Sequence, residues 1–147
     1  MIDSAVLCHN LWYFPNESAV YSLFANLANS VIARVYVAEW SYTKSNDAQL
    51  PHIVASQTRA MFYSFQTPSE PGLREQNVRG GVHQESIVAA AKHSGYVVTK
   101  EQMIPAVEGM MGGHFEVEFT LGGVFQQRVT DANLSPEKHE QTLASIE

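Results

Sequence analysis

With 147 residues, 45% of them hydrophobic and 16% charged, the chain has the length to bury one core of ordinary size, and its low charge fraction suggests additional buried or subunit-facing surface. A formal net charge of -6, with nine scattered Lys and Arg residues, excludes a nucleic-acid backbone or an anionic membrane surface as the partner. The single cysteine, Cys8, excludes an intrachain disulfide and points to a reducing, cytoplasmic compartment, and no apolar stretch reaches the length that spans a bilayer.

The apolar run Ala5 to Cys8 predicts a buried strand, which gives way to polar His9 and Asn10 and then to the aromatic cluster Trp12, Tyr13 and Phe14, closed by Pro15. Polar groups at the carboxyl end of a buried parallel strand sit where open α/β sheets hold ligands. Pro15-Asn16-Glu17 reads as a helix start, after which Val20, Leu23, Phe24, Leu27 and Val31 recur at helical spacing. Val31 to Ala38, rich in β-branched and aromatic residues, predicts a second buried strand, and Ser41 to Gln49 a polar loop. Pro51 suits the first turn of a second helix, with Val54, Thr58, Met61, Phe62 and Phe65 along one side.

A proline- and glycine-containing loop over 67–81 separates this helix from a third, Gln84 to Ser94, whose face is Ile87, Ala90 and Ala91 and whose end is marked by Gly95. Tyr96 to Ile104 predicts a strand. In His114 to Leu121, Phe115, Val117, Phe119 and Leu121 alternate strictly with polar neighbours, which predicts an antiparallel edge hairpin that Val124 to Val129 extends. The expected architecture is therefore α/β, half of a Rossmann-like sheet of parallel strands with an antiparallel C-terminal hairpin and three main helices. It forms one domain over 1–130, followed by a polar tail or helix over 131–147.

His9 to Phe14 at the end of the first strand and Ala38 to Trp40 at the end of the second resemble the second half of a class I S-adenosylmethionine-dependent methyltransferase of the fungal natural-product type. The likeness continues through Leu50 to Gln57 and Asn77 to Arg79 to the helix ending at Gly95. In that family a glycine-rich loop after the first strand and an acidic residue after the second hold the cofactor. Gly80-Gly81, Gly112-Gly113 and Gly122-Gly123 do not stand between an apolar strand and a helix, so the resemblance implies a chain lacking the cofactor-binding half. No cofactor is expected in the isolated chain, and S-adenosylmethionine only where a partner supplies the missing half.

The resemblance places His9 and Asn10 beside the acceptor, with His9 as a proton acceptor and Asn10 as an orienting amide. Trp12, Tyr13 and Trp40 could wall a pocket for a flat ligand or serve as core and interface residues. Glu39 at the same rim is a base, an orienting acceptor or a structural partner. His52 opens the second helix, and Arg79 and His83 close the loop that in the family caps the acceptor pocket. Arg79 would bind a substrate carboxylate or ketone there, or form a surface ion pair with Glu75 or Glu85. No histidine pair has the spacing of a helical zinc site, so no metal is expected.

Two readings follow: a methyltransferase-like scaffold that acts on a small secondary metabolite by cofactor-free acid-base chemistry such as isomerisation or cyclisation, or a partner subunit or split half of a methyltransferase. A half-sheet leaves one strand edge and one face of Ala5 to Cys8 without cover, so the expectation is an oligomer. A two-fold homodimer is the commonest closed solution, and a methyltransferase partner chain is the alternative.

Overall fold

The structure, a computed structural model, describes residues 3–66, 81–107, 109 and 112–146. The chain divides into two compact units, one formed by Met1–Tyr42 with Gly81–Ile104 and the other by Thr43–Gly80 with Pro105–Glu147.

In the first unit β1 (Ser4–Cys8) pairs in parallel with β2 (Arg34–Ala38), in the register Val6 to Tyr36 and Leu7 to Val37. The crossover between them is α1 (Glu17–Asn29), started by Asn16, whose side chain accepts the Ala19 N–H at 3.1 Å. The expected Pro15-Asn16-Glu17 start is what forms. α3 (Gln84–His93) packs on α1, and the core between these helices and the sheet is Leu11, Val20, Phe24, Val82 and Ala90, with Leu7 and Val35 reaching it from the strands.

Both helices of this unit end in the same hydrogen-bonded motif. In α3 the Gly95 N–H bonds Lys92 O and the Tyr96 N–H bonds Ala91 O, each at 3.0 Å, with Gly95 at φ +91°. In α1 the corresponding bonds, each 3.1 Å, run from Val31 to Ala28 and from Ile32 to Leu27, and the left-handed position is held by Val31 at φ 61°. Val31 thus belongs neither to the helix face nor to the strand predicted from it; it lies between them, 82% exposed.

Tyr96 to Ile104 forms no strand. Tyr96 is fixed by its hydroxyl, which donates to Ile32 O at 2.8 Å, and by its ring against Phe24, while Val97 points to solvent.

The regular elements among the described residues of the second unit are all helical, with the α-helices α2 (Leu50–Ser64), α4 (His114–Leu121), α5 (Gly123–Asp131) and α6 (Pro136–Ala144). The predicted C-terminal hairpin is therefore two helices, and the described residues hold six α-helices rather than three. The alternation over 115–121 misled because α4 buries a different set: Thr120 is buried and Glu116, Val117 and Phe119 are half-buried, the i, i+3, i+4 spacing of a helix, while Phe115 and Leu121 face outward. The Phe119 ring meets Phe125 at a tilt and Phe125 meets Phe62 edge to face, around a core completed by Val129, Leu134, Leu143 and Ile146. In α2 the buried residues are Ile53, Ala55, Ser56, Thr58, Arg59 and Phe62, so Thr58 and Phe62 of the predicted face are buried and Met61 and Phe65 half-buried, while Val54 is exposed.

Replacing Val31 by Gly relieves a left-handed conformation that costs a residue with a Cβ about 1–2 kcal/mol, against about 0.5–1 kcal/mol of added unfolded-chain entropy. Urea unfolding of Val31→Gly is expected to show a gain of about 0.5–1 kcal/mol, and Gly95→Val a loss of at least that size; a destabilised Val31→Gly would contradict the motif.

Candidate functional site

The carboxyl ends of β1 and β2 bring together the residues that the sequence placed there. The His9 N–H continues the ladder by bonding Ala38 O at 2.9 Å, and the backbone then turns left-handed at His9 with φ 50°. A non-glycine residue in that region is held by its surroundings, and such residues concentrate at functional sites. The surroundings here are explicit. The imidazole stacks on Trp40 with ring centroids 4.9 Å apart and 26° between planes, and its Nδ1 lies 3.8 Å from Glu39 Oε2.

Glu39 anchors the arrangement. Its side chain is 5% exposed, and Oε1 accepts the Leu11 N–H at 2.9 Å, tying the end of β2 to the turn that follows β1. Oε2 makes no hydrogen bond among the described residues, and it is this oxygen that faces His9. At 3.8 Å the contact is longer than a hydrogen bond. Half of the His9 side chain stays open to solvent, so a ligand has access to the ring.

The other residues at this rim have settled structural roles. Asn10 accepts the Cys8 N–H with its side-chain oxygen. Trp12 is buried and Tyr13 is exposed, so of the two only Tyr13 presents its ring to solvent here. Tyr42, which the sequence gave no reason to select from a polar loop, has a hydroxyl that accepts the Gly81 N–H at 2.6 Å and a ring 4.8 Å from exposed His83. Burial raises the Tyr42 phenol above its ordinary value, and the Gly81 hydrogen bond opposes that shift. A Cβ on Gly81 would stand 2.8 Å from the Tyr42 oxygen and 3.2 Å from Trp12, so glycine lets this segment close on the rim. Arg79 lies outside the described residues.

His52 belongs to the second unit. It sits near the start of α2, and Gly113, which precedes α4, lies so close that a Cβ there would be 2.2 Å from the imidazole Cγ. A concavity of about 470 Å³ follows α1 from Phe14 to Asn26, but its polar groups bond one another: Asn16 accepts from Ala19 and Ser18, and Ser22 donates to Ser18 O. No group of three or more possible metal ligands occurs among the described residues.

The chain has a methyltransferase-like α/β fold. The cyclopropane-fatty-acyl-phospholipid synthase-like protein of Lactobacillus casei ATCC 334 superposes with a TM-score of 0.71 at 23% identity, over 98% of this chain and 48% of that one, which shows the shared fold. In sequence the chain is 32% and 31% identical to the methyltransferases phomM' and phomM of Diaporthe leptostromiformis, over 99% of its own length and 41% of theirs. It thus matches fungal methyltransferases, as the sequence motifs implied, and spans about two-fifths of the curated relatives it matches. No family model matches. No helix among the described residues is long and apolar enough to cross a membrane.

Burial lowers the His52 imidazole below its ordinary value of 6.5, and the Glu116 charge works against that shift. The folded protein then binds the proton less readily than the unfolded chain. Stability is full above about pH 6.5 and is withdrawn as the pH falls from there through the lowered folded value. Chemical denaturation from pH 7.5 to 5 should show this loss, and His52→Gln should flatten it; an unchanged slope in the variant would assign the loss to other groups.

Proposed function

We propose that the chain carries the acceptor side of a methyltransferase site, in which a small molecule of the secondary-metabolite kind rests against Trp40 and Tyr13 and passes a proton to His9. The observation that carries this reading is the His9 imidazole, held on Trp40 and beside the buried Glu39 carboxylate at the carboxyl end of β1. Stacking and the left-handed turn fix the ring, Glu39 sets a negative charge on its Nδ1 side, and the exposed part of the ring is left to take a proton from a ligand O–H or N–H. The exposed Tyr13 ring and the half-buried Trp40 ring favour a flat ligand. His83, beside Tyr42, would bound it from the 81 segment.

S-adenosylmethionine is the methyl donor that the resemblance implies, and the described residues do not fit it. The connections 9–16 after β1 and 39–49 after β2 contain no glycine, so neither gives the close backbone approach that a nucleoside loop requires. The donor-binding groups belong to another portion of the enzyme. Cofactor-free isomerisation or cyclisation would use the same proton transfer, but the relatives are methyltransferases and support methyl transfer instead.

Titration calorimetry of the chain alone is expected to show no binding of S-adenosylmethionine; micromolar binding would mean that a donor site has been built from other residues. In the chain assembled with the rest of a methyltransferase, His9→Ala should lower methyl transfer about 10²- to 10⁴-fold with circular dichroism unchanged. Glu39→Gln, which keeps an acceptor for Leu11 but removes the charge, should fall between. A His9→Ala enzyme of full activity overturns the reading.

A further inference from the structure

The exit of β2 presents two aromatic side chains, Trp40 and Tyr42, and each carries an imidazole from a different segment of the chain. Trp40 holds His9, with ring centroids 4.9 Å apart and 26° between planes; Tyr42 holds His83, at 4.8 Å and 51°. Both histidines are exposed, whereas the two rings beneath them are half-buried. The second pair is fixed by more contacts than a passive boundary of the site requires.

Segment 81–83 is fastened to the rim residue by residue. The Gly81 N–H donates to the Tyr42 hydroxyl at 2.6 Å, and the backbone sits so close that a Cβ on residue 81 would meet the phenol oxygen at 2.8 Å and Trp12 Cε2 at 3.2 Å. Val82 turns into the core that contains Leu11. His83 turns out again, onto the ring of the same tyrosine. In the first turn of α3 the Ser86 hydroxyl donates to Glu17 Oε1 of α1 at 2.6 Å, so the chain is tied down on both sides of His83.

The identity of the residue at the head of α3 is informative. Helix starts favour side chains that accept a hydrogen bond, because the first N–H groups have no partner within the helix. α1 and α6 follow this rule with Asn16 and Ser135, whose side chains accept the N–H groups of Ala19 and Lys138. His83 stands at the same position of α3, and its side chain makes no capping bond. The imidazole is turned to Tyr42 and to solvent instead. The hydroxyl that fixes Gly81 and the ring that carries His83 belong to one side chain, so one residue sets both the place of this segment and the direction of its imidazole.

We infer that Tyr42 is a positioning residue, which by its hydroxyl on Gly81 and its ring on His83 sets the His83 imidazole at the strand-end rim as a second ligand-facing imidazole in addition to His9. A ring already fixed in this way can exchange a hydrogen bond with a ligand while losing little rotamer freedom on binding. The ligand-facing part rests on the acceptor-site reading, whereas the seating of His83 by Tyr42 stands without it.

Nuclear magnetic resonance of the full 147-residue chain tests the two parts separately. Tyr42→Phe keeps the ring and removes the hydroxyl, and the Gly81 amide should then exchange at least about tenfold faster, with the His9 ring protons unmoved and circular dichroism unchanged. Tyr42→Leu removes the ring as well, and the His83 ring protons should move to the positions of a solvated histidine. A Gly81 amide indifferent to Tyr42→Phe, or a His83 ring indifferent to Tyr42→Leu, overturns the positioning role. Phenol, a flat probe with one O–H, is then titrated into the wild-type chain and is expected to shift the ring protons of both His9 and His83. A response at His9 alone overturns the second imidazole and leaves the acceptor-site reading in place. A response at His83 alone supports the inference and removes the His9 assignment, and a response at neither overturns both.

Discussion

The parallel pairing of β1 with β2 is the constraint from which the rest of the first unit follows. Two strands of five residues cannot be antiparallel neighbours across a thirteen-residue helix without abandoning a short crossover, so the helix must lie on one face and return the chain in the same direction. That return places Glu39 at the same end of the sheet as His9. The hydrogen bond from Leu11 to the Glu39 carboxylate then joins the two strand exits, and it is this cross-tie that holds the turn bearing His9 against Trp40. Polar chemistry at the rim depends on apolar packing beneath it: Leu11, whose N–H makes the bond, is itself fully buried against Val20 and Phe24.

The two left-handed non-glycine residues of this unit stand at opposite ends of the same crossover. Val31 closes α1 and His9 opens the path into it, and each is held by backbone hydrogen bonds, with Val31 bonded to Ala28 and His9 to Ala38. They differ in what else surrounds them. Val31 projects into solvent, whereas His9 is in contact with an aromatic ring and a carboxylate. Strain with a constellation around it is the kind that warrants a functional reading.

The first unit was legible wherever a segment's local signal agreed with its tertiary use, which the run Tyr96 to Ile104, predicted as a strand, did not. An apolar run ended in polar residues at Cys8, Asn16 capped α1, and Gly95 closed α3. The strand-end residues His9, Asn10, Glu39 and Trp40 could be selected for the same reason, since a strand predicts its own exit. The second unit was less legible. Alternation over 115–121 and the helical spacing of Glu116, Phe119 and Thr120 coexist in one octapeptide, and only packing on α2 and α5 decides between them. Tyr42 and the His52–Gly113 contact carried no local signal at all, because each depends on a residue 39 or 61 positions away.

The closeness of Gly113 to His52 makes these positions a single unit of inheritance. With the Cβ position of residue 113 lying inside the van der Waals envelope of the imidazole, a larger residue can enter at 113 only where residue 52 has already become smaller or α4 has moved away from α2. Among descendants of this sequence the two sites are therefore constrained to vary together. The histidine is permitted by a glycine sixty-one residues downstream as much as by anything in its own helix.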